Sequence, residues 1–142
     1  MNPANESVFY IQLSENDLDE NLMSGKREIR LDFDLFKSVV ENNGILSLEP
    51  HIRPFSISGF GILEGIVGTQ NGSTAIVTIS DENGVIATTI TEEDGYFQLR
   101  GIRPGIPCRV SFEAPGHIPH AIDQIVPVKG QTTALENITL NQ

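Results

Sequence analysis

The chain has 142 residues, the size of one domain or of two small ones. Hydrophobic residues make up 39% and glycine adds 13 positions, an apolar content that excludes disorder along the whole length. Nine Lys and Arg stand against 19 Asp and Glu, a net charge of −10, which argues against nucleic acid or an anionic membrane surface as partner, since both attract clustered cations.

In chain order, Phe9, Ile11 and Leu13 alternate and predict a strand. Residues 14–25 are acidic and polar and read as a loop. Ile29, Leu31 and Phe33 alternate in a second strand. Asp34 then caps a predicted short helix running through Glu41, whose apolar side is Leu35, Phe36, Val39 and Val40. Asn42-Asn43-Gly44 ends that helix. Leu46, Leu48 and Ile52 alternate again, with Pro50 and Pro54 making this strand an edge or interrupting it. A segment with so few core residues needs something to pack on. Ser58-Gly59-Phe60-Gly61 reads as a flexible linker, which divides the chain into residues 1–58 and 59–142.

Beyond Gly59 no helical period appears, and period-2 alternation predicts seven short strands: 62–68, 74–80, 85–90, 95–100, 108–114, 121–128 and 132–140. Ala75, Val77 and Ile79 share one face of their strand, as do Cys108, Val110, Phe112 and Ala114, and Phe97 with Leu99. Between strands stand Asn83-Gly84, Asp94-Gly95, Pro104-Gly105, Pro115-Gly116 and Lys129-Gly130-Gln131, each suited to a tight turn. Seven short strands at this spacing imply a sandwich or a barrel.

The chemistry-bearing residues form no catalytic set. There is no His-x-x-Glu pair, no His-Glu-x-x-His and no Gly-x-Ser-x-Gly elbow. One cysteine, Cys108, excludes an internal disulfide and a multi-cysteine metal site, and its alternation with Val110 and Phe112 places it in the core. His117 and His120 lie three apart in a proline-containing turn and not on a helix, so they read as turn residues; His51 is remote in sequence. Asp81-Glu82-Asn83 and Glu92-Glu93-Asp94 read as solvated turns, with Ca²⁺ binding as the competing reading. Asp32 and Asp34 read as a strand end and a helix cap. No catalytic, cofactor or metal residue is assigned. The one candidate ligand-binding residue is Tyr96, an aromatic on the face of its strand opposite Phe97.

Two resemblances add to this reading. Gly65-Ile66-Val67, Ala75-Ile76-Val77, Gly84, the run from Thr91 to Phe97, Leu99-Arg100-Gly101-Ile102-Arg103-Pro104-Gly105, Val110-Ser111-Phe112-Glu113-Ala114-Pro115-Gly116-His117 and the ending from Gly130 to Leu140 resemble the carboxypeptidase regulatory-like domain. His117 stands where that family usually has an aromatic. The resemblance implies a mostly β fold: a seven-stranded antiparallel Ig-like, prealbumin-like β-sandwich, preceded here by a β-rich segment with one short helix. Leu31-Asp32-Phe33-Asp34, Ser38-Val39-Val40 and Leu48-Glu49-Pro50-His51-Ile52-Arg53 resemble the end of a domain of unknown function found in bacterial exported lipoproteins. That implies a piece of a longer exported lipoprotein, at the cell surface or in the periplasm, although residues 1–6 carry no targeting signal.

The expected function is a non-catalytic accessory module acting in spacing, presentation or protein docking, with cell-envelope proteins or glycans as partners and no membrane insertion. No apolar run reaches the ~20 residues a spanning helix needs. A carbohydrate-binding module and a Ca²⁺-dependent adhesive domain are the alternatives. The absence of Trp weakens the first, because sugars stack on exposed aromatic rings.

Overall fold

The computed structural model describes Tyr10, Gln12 and residues 19–21, 26–28, 30–55 and 58–142. The predicted strand around Phe9, Ile11 and Leu13 falls outside the described residues. Two short antiparallel strands come first, β1 (Asp19–Asn21) and β2 (Lys26–Glu28), so the predicted loop over 14–25 contains a strand.

Strand β3 (Arg30–Phe33) leads into a four-residue helix, α1 (Leu35–Ser38). Asp34 caps it as expected, its Oδ1 accepting the Lys37 N–H at 3.1 Å. The helix stops at Ser38 and does not reach Glu41. Val39 and Val40 are β-branched and continue as β4 (Val39–Asn42), which forms a hairpin with β5 (Ile45–Leu48). Asn43 and Gly44 are the turn of that hairpin, with φ of 53° and 78°, and not a helix C-terminus. Two central residues at positive φ give the right twist for a two-residue hairpin, which explains the Asn-Gly pair. β6 (Ile52–Phe55) then returns antiparallel to β3.

The rest of the chain is eight strands: β7 (Gly61–Thr69), β8 (Ile76–Asp81), β9 (Gly84–Ile90), β10 (Tyr96–Ile102), β11 (Cys108–Glu113), β12 (His120–Ile125), β13 (Thr132–Ala134) and β14 (Ile138–Leu140). One sheet runs β10-β7-β13 with β14 also paired to β7, and the other runs β12-β11-β8-β9. Their inward residues meet in one core. Leu63, Val67, Phe97, Leu99, Ile138 and Leu140 come from the first sheet, and Val77, Ile79, Cys108, Val110 and Phe112 from the second. The Phe97 and Phe112 rings meet edge to face at 5.7 Å between centroids. Gly65 leaves room for this packing: a Cβ there would lie 2.9 Å from the Phe97 ring.

Three expectations need correcting. The predicted strand 132–140 is two strands. Ala134 pairs with Glu64 and Ile138 with Val67, so four steps on one strand match three on the other. One residue too many breaks the ladder, as in a bulge. The fold is also not wholly antiparallel, because β13 and β14 run parallel to β7. The chain leaves β12 in the second sheet and crosses at 126–131, with Pro127 buried, before entering beside β7 in the same direction; a parallel neighbour requires such a crossover. The predicted linker is likewise shorter than expected. Gly61 opens β7 and is buried, and a Cβ on it would sit 2.9 Å from the Pro127 Cβ.

Candidate functional site at the segment–module junction

Sheets end in strands whose outer carbonyls lack a ladder partner. Here β9 is an edge of one sheet and β10 an edge of the other. The segment over 30–55 supplies a cation to each. The Lys37 ammonium donates to the Val85 and Ile86 carbonyls of β9 at 2.6 and 3.3 Å. The Arg53 guanidinium donates from Nη1 to the Gly101 carbonyl and from Nη2 to the Arg100 carbonyl of β10, both at 2.9 Å. Its Nη2 also meets the Asp32 carboxylate at 2.8 Å.

A bulge makes the Arg53 contact possible. Leu99 pairs with Leu63 and Ile102 with Gly61, so β10 carries one extra residue there. Gly101 takes φ +67° at the bulge, a conformation that suits glycine. Phe55, only 5% exposed, packs on it so closely that a Cβ at 101 would lie 2.7 Å from the Phe55 ring. Phe60 meets Phe55 edge to face at 6.5 Å and continues the apolar contact.

The segment is held internally by a knot of Asp34, Ser38 and His51. Asp34 N–H donates to the His51 carbonyl at 3.0 Å, Ser38 Oγ donates to the Asp34 carbonyl at 2.5 Å, and His51 N–H donates to Ser38 Oγ at 2.8 Å. Asp, Ser and His thus come together, but Asp34 and His51 meet the Ser38 hydroxyl through their main-chain groups. Ser38 is fully buried and takes its hydrogen bond from the His51 backbone, so the knot holds the fold and activates no nucleophile.

Tyr96, the predicted ligand-binding residue, lies half-buried on the outer face of the first sheet. Its hydroxyl donates to the Glu64 carboxylate at 2.9 Å. Gln98 Nε2 donates to the same carboxylate oxygen at 3.1 Å, and Arg100 Nε donates to Gln98 Oε1 at 2.5 Å. The four side chains form a polar ladder across β7 and β10. The hydrogen bond to Glu64 pushes the phenol above its ordinary range, because a carboxylate acceptor favours the neutral hydroxyl. The Tyr96 hydroxyl is therefore engaged by its neighbours on the sheet.

The other candidates are dispersed. His117 is buried in the turn after β11, and its Nδ1 donates to the Pro115 carbonyl at 2.9 Å, which fixes the tautomer; His120 is exposed and stacks on Phe112 at 6.3 Å. Asp81 Oδ1 and Asp94 Oδ1 accept the N–H groups of Asn83 and Tyr96 at 2.8 and 2.9 Å, the local bond that makes Asp a turn residue. Among the described residues no three His, Cys, Asp or Glu gather as metal ligands. Cys108 is buried, and desolvation first, then Asp81, pushes its thiol above the ordinary range, the reverse of the shift that activates a cysteine. Arg109, on the opposite face, pairs with Asp123 at 2.9 Å in solvent. Lys37 and Arg53 went unread because no motif marks them. Gly101 inside an otherwise strand-like run is the one local signal, since an interior glycine marks a bulge.

The family model of the carboxypeptidase regulatory-like domain matches residues 62–141, more than half of the chain and all of the span from β7 to β14 but Gly61. The chain belongs to the carboxypeptidase regulatory-like domain family. That family is of the non-catalytic β-sandwich type. Among solved structures the chain is similar to the Bacillus anthracis TIE protein, with 19% identity over 69% of this chain and a TM-score of 0.44. The chain spans about a fifth of that protein's length, 20%. No curated protein matches the chain.

Proposed function

We propose that the chain is a non-catalytic accessory module of an exported or cell-surface bacterial protein. In this reading the carboxypeptidase regulatory-like domain acts as a spacer that holds the polypeptide before it in a fixed attitude. The observation that carries this reading is the clamp of Lys37 and Arg53 on the edges of both sheets. A flexible tether would leave those carbonyls to water. Instead two charged donors and the buried Phe55 tie the segment to the module at three points. Hydrogen bonds from charged donors are the stronger kind, which suits a joint that must not swing. The setting at the cell surface or in the periplasm rests on the resemblance of 29–54 to the end of a lipoprotein domain.

The test is a spin-label distance between position 46 in the β4–β5 hairpin and position 139 in β14, measured on the full chain. The reading expects one narrow distribution that broadens in Arg53→Met. A broad distribution in the unsubstituted clamp would show a flexible tether and remove the spacer reading.

A further inference from the structure

Beside the clamp, a cleft of about 590 Å³ opens between the segment and the β8–β9 turn. Its lining includes Lys37, His51, Arg53, Phe60, Asp81 and Arg103. Three of the chain's nine Lys and Arg, and one of its three His, therefore meet in one hollow of a protein with net charge −10. The charges there are unequally matched. Asp32 offsets Arg53, and Asp81 lies on the wall with Oδ1 turned to the Asn83 N–H. Lys37 meets only carbonyl dipoles. The His51 ring and the Arg103 guanidinium make no hydrogen bond or ion pair among the described residues, and both are exposed. Phe60 adds an apolar wall. A hollow of a few hundred Å³ with an apolar wall and a few convergent polar groups is the usual form of a small-molecule site.

We propose that this cleft binds a small oxyanion, a carboxylate or a phosphate group, with Arg103 and His51 as the donors and the Lys37 charge in the same lining. A guanidinium fork matches the paired oxygens of either group. The acidic surface elsewhere repels anions at a distance, so recognition acts within the ~8 Å over which salt leaves charges unscreened. The site rests on the docked segment of the spacer reading, because His51 and Lys37 lie on the segment and Arg103 on the module; a narrow spin-label distance with no anion binding would sink the site and leave that reading standing.

The experiment is an NMR titration of the full chain with sodium phosphate, and separately with sodium acetate, against sodium chloride at equal ionic strength. The readouts are the Arg103 side-chain N–H and the His51 ring. The proposal expects saturable shifts with phosphate, acetate or both, the pattern naming the preferred group. It expects Arg103→Gln to weaken binding about tenfold, the loss of one charge-assisted hydrogen bond. Arg109→Gln, outside the cleft, should leave binding unchanged. The amide spectrum of Arg103→Gln shows that this exposed substitution leaves the fold intact, and His51→Gln provides a second variant. Equal shifts with chloride, no shifts at all, or saturable shifts that persist in both cleft variants would overturn the proposal.

Discussion

Val77, Ile79, Val110 and Phe112 of the β-module are wholly removed from water, whereas Ile45, Leu46 and Leu48 of the N-terminal hairpin are 70%, 68% and 61% exposed. Both regions alternate apolar and polar residues, and both form strands. The module has two four-stranded sheets that cover each other, so each inward side chain meets a partner layer. The segment over 30–55 has only two-stranded pairings, β3–β6 and β4–β5. A two-stranded hairpin alone is marginal in water. What holds the segment is the Asp34–Ser38–His51 knot within it and its attachment to the module through Phe55, Lys37 and Arg53. Alternation makes a strand, but a second layer makes a core.

The comparison breaks most visibly if the module's core is opened. Phe112→Ala removes a ring that meets Phe97 and is expected to cost about 3–5 kcal/mol, a large share of a total of roughly 5–15, read as a lower urea midpoint. Gly95→Ala strains the turn before β10. Gly95 has φ +86°, and a Cβ there would run into the Val67 carbonyl, so a cost of about 1–3 kcal/mol is expected in the same assay.

Arg53→Met leaves the Arg100 and Gly101 carbonyls without their donor. It should weaken the docking of the segment by about 1–3 kcal/mol, read as faster amide exchange over 30–55 with the module's exchange unchanged. Glu64→Gln acts on pH dependence. The Tyr96 phenol is raised from 10.0 in the folded chain, so its contribution is complete below that pH and is lost as pH rises through the folded value. The substitution should lower the ionisation pH of Tyr96 and shrink the alkaline loss of stability, both followed spectrophotometrically. The smallest effect is expected from Leu46→Ser, on the exposed hairpin, which should change stability by no more than about 0.5 kcal/mol.

The same contrast explains what the sequence made legible. The module was readable strand by strand as far as β12, since Ala75, Val77 and Ile79, or Cys108, Val110 and Phe112, carry the period of a half-buried sheet and glycine turns punctuate them. Its parallel C-terminal pairing was not readable, because alternation specifies which face is buried and not the direction of the neighbour. In the segment, Val39 and Val40 fit an apolar helix side as well as a strand. The Asn43-Gly44 turn and β-branching decided for the strand. The clamp was invisible for a different reason. Lys37 and Arg53 act on main-chain carbonyls some 48 residues away, and a carbonyl leaves no trace in a sequence.

The measurement that tests the account most directly is native-state amide exchange on the full chain, residue by residue. The account predicts that core amides of β7, β8, β10 and β11 exchange only with global unfolding. Amides of β3 to β6 should exchange through a separate opening of lower free energy, which Arg53→Met lowers further. Equal protection of the two regions, or loss of the module's protection together with the segment's in Arg53→Met, would contradict it.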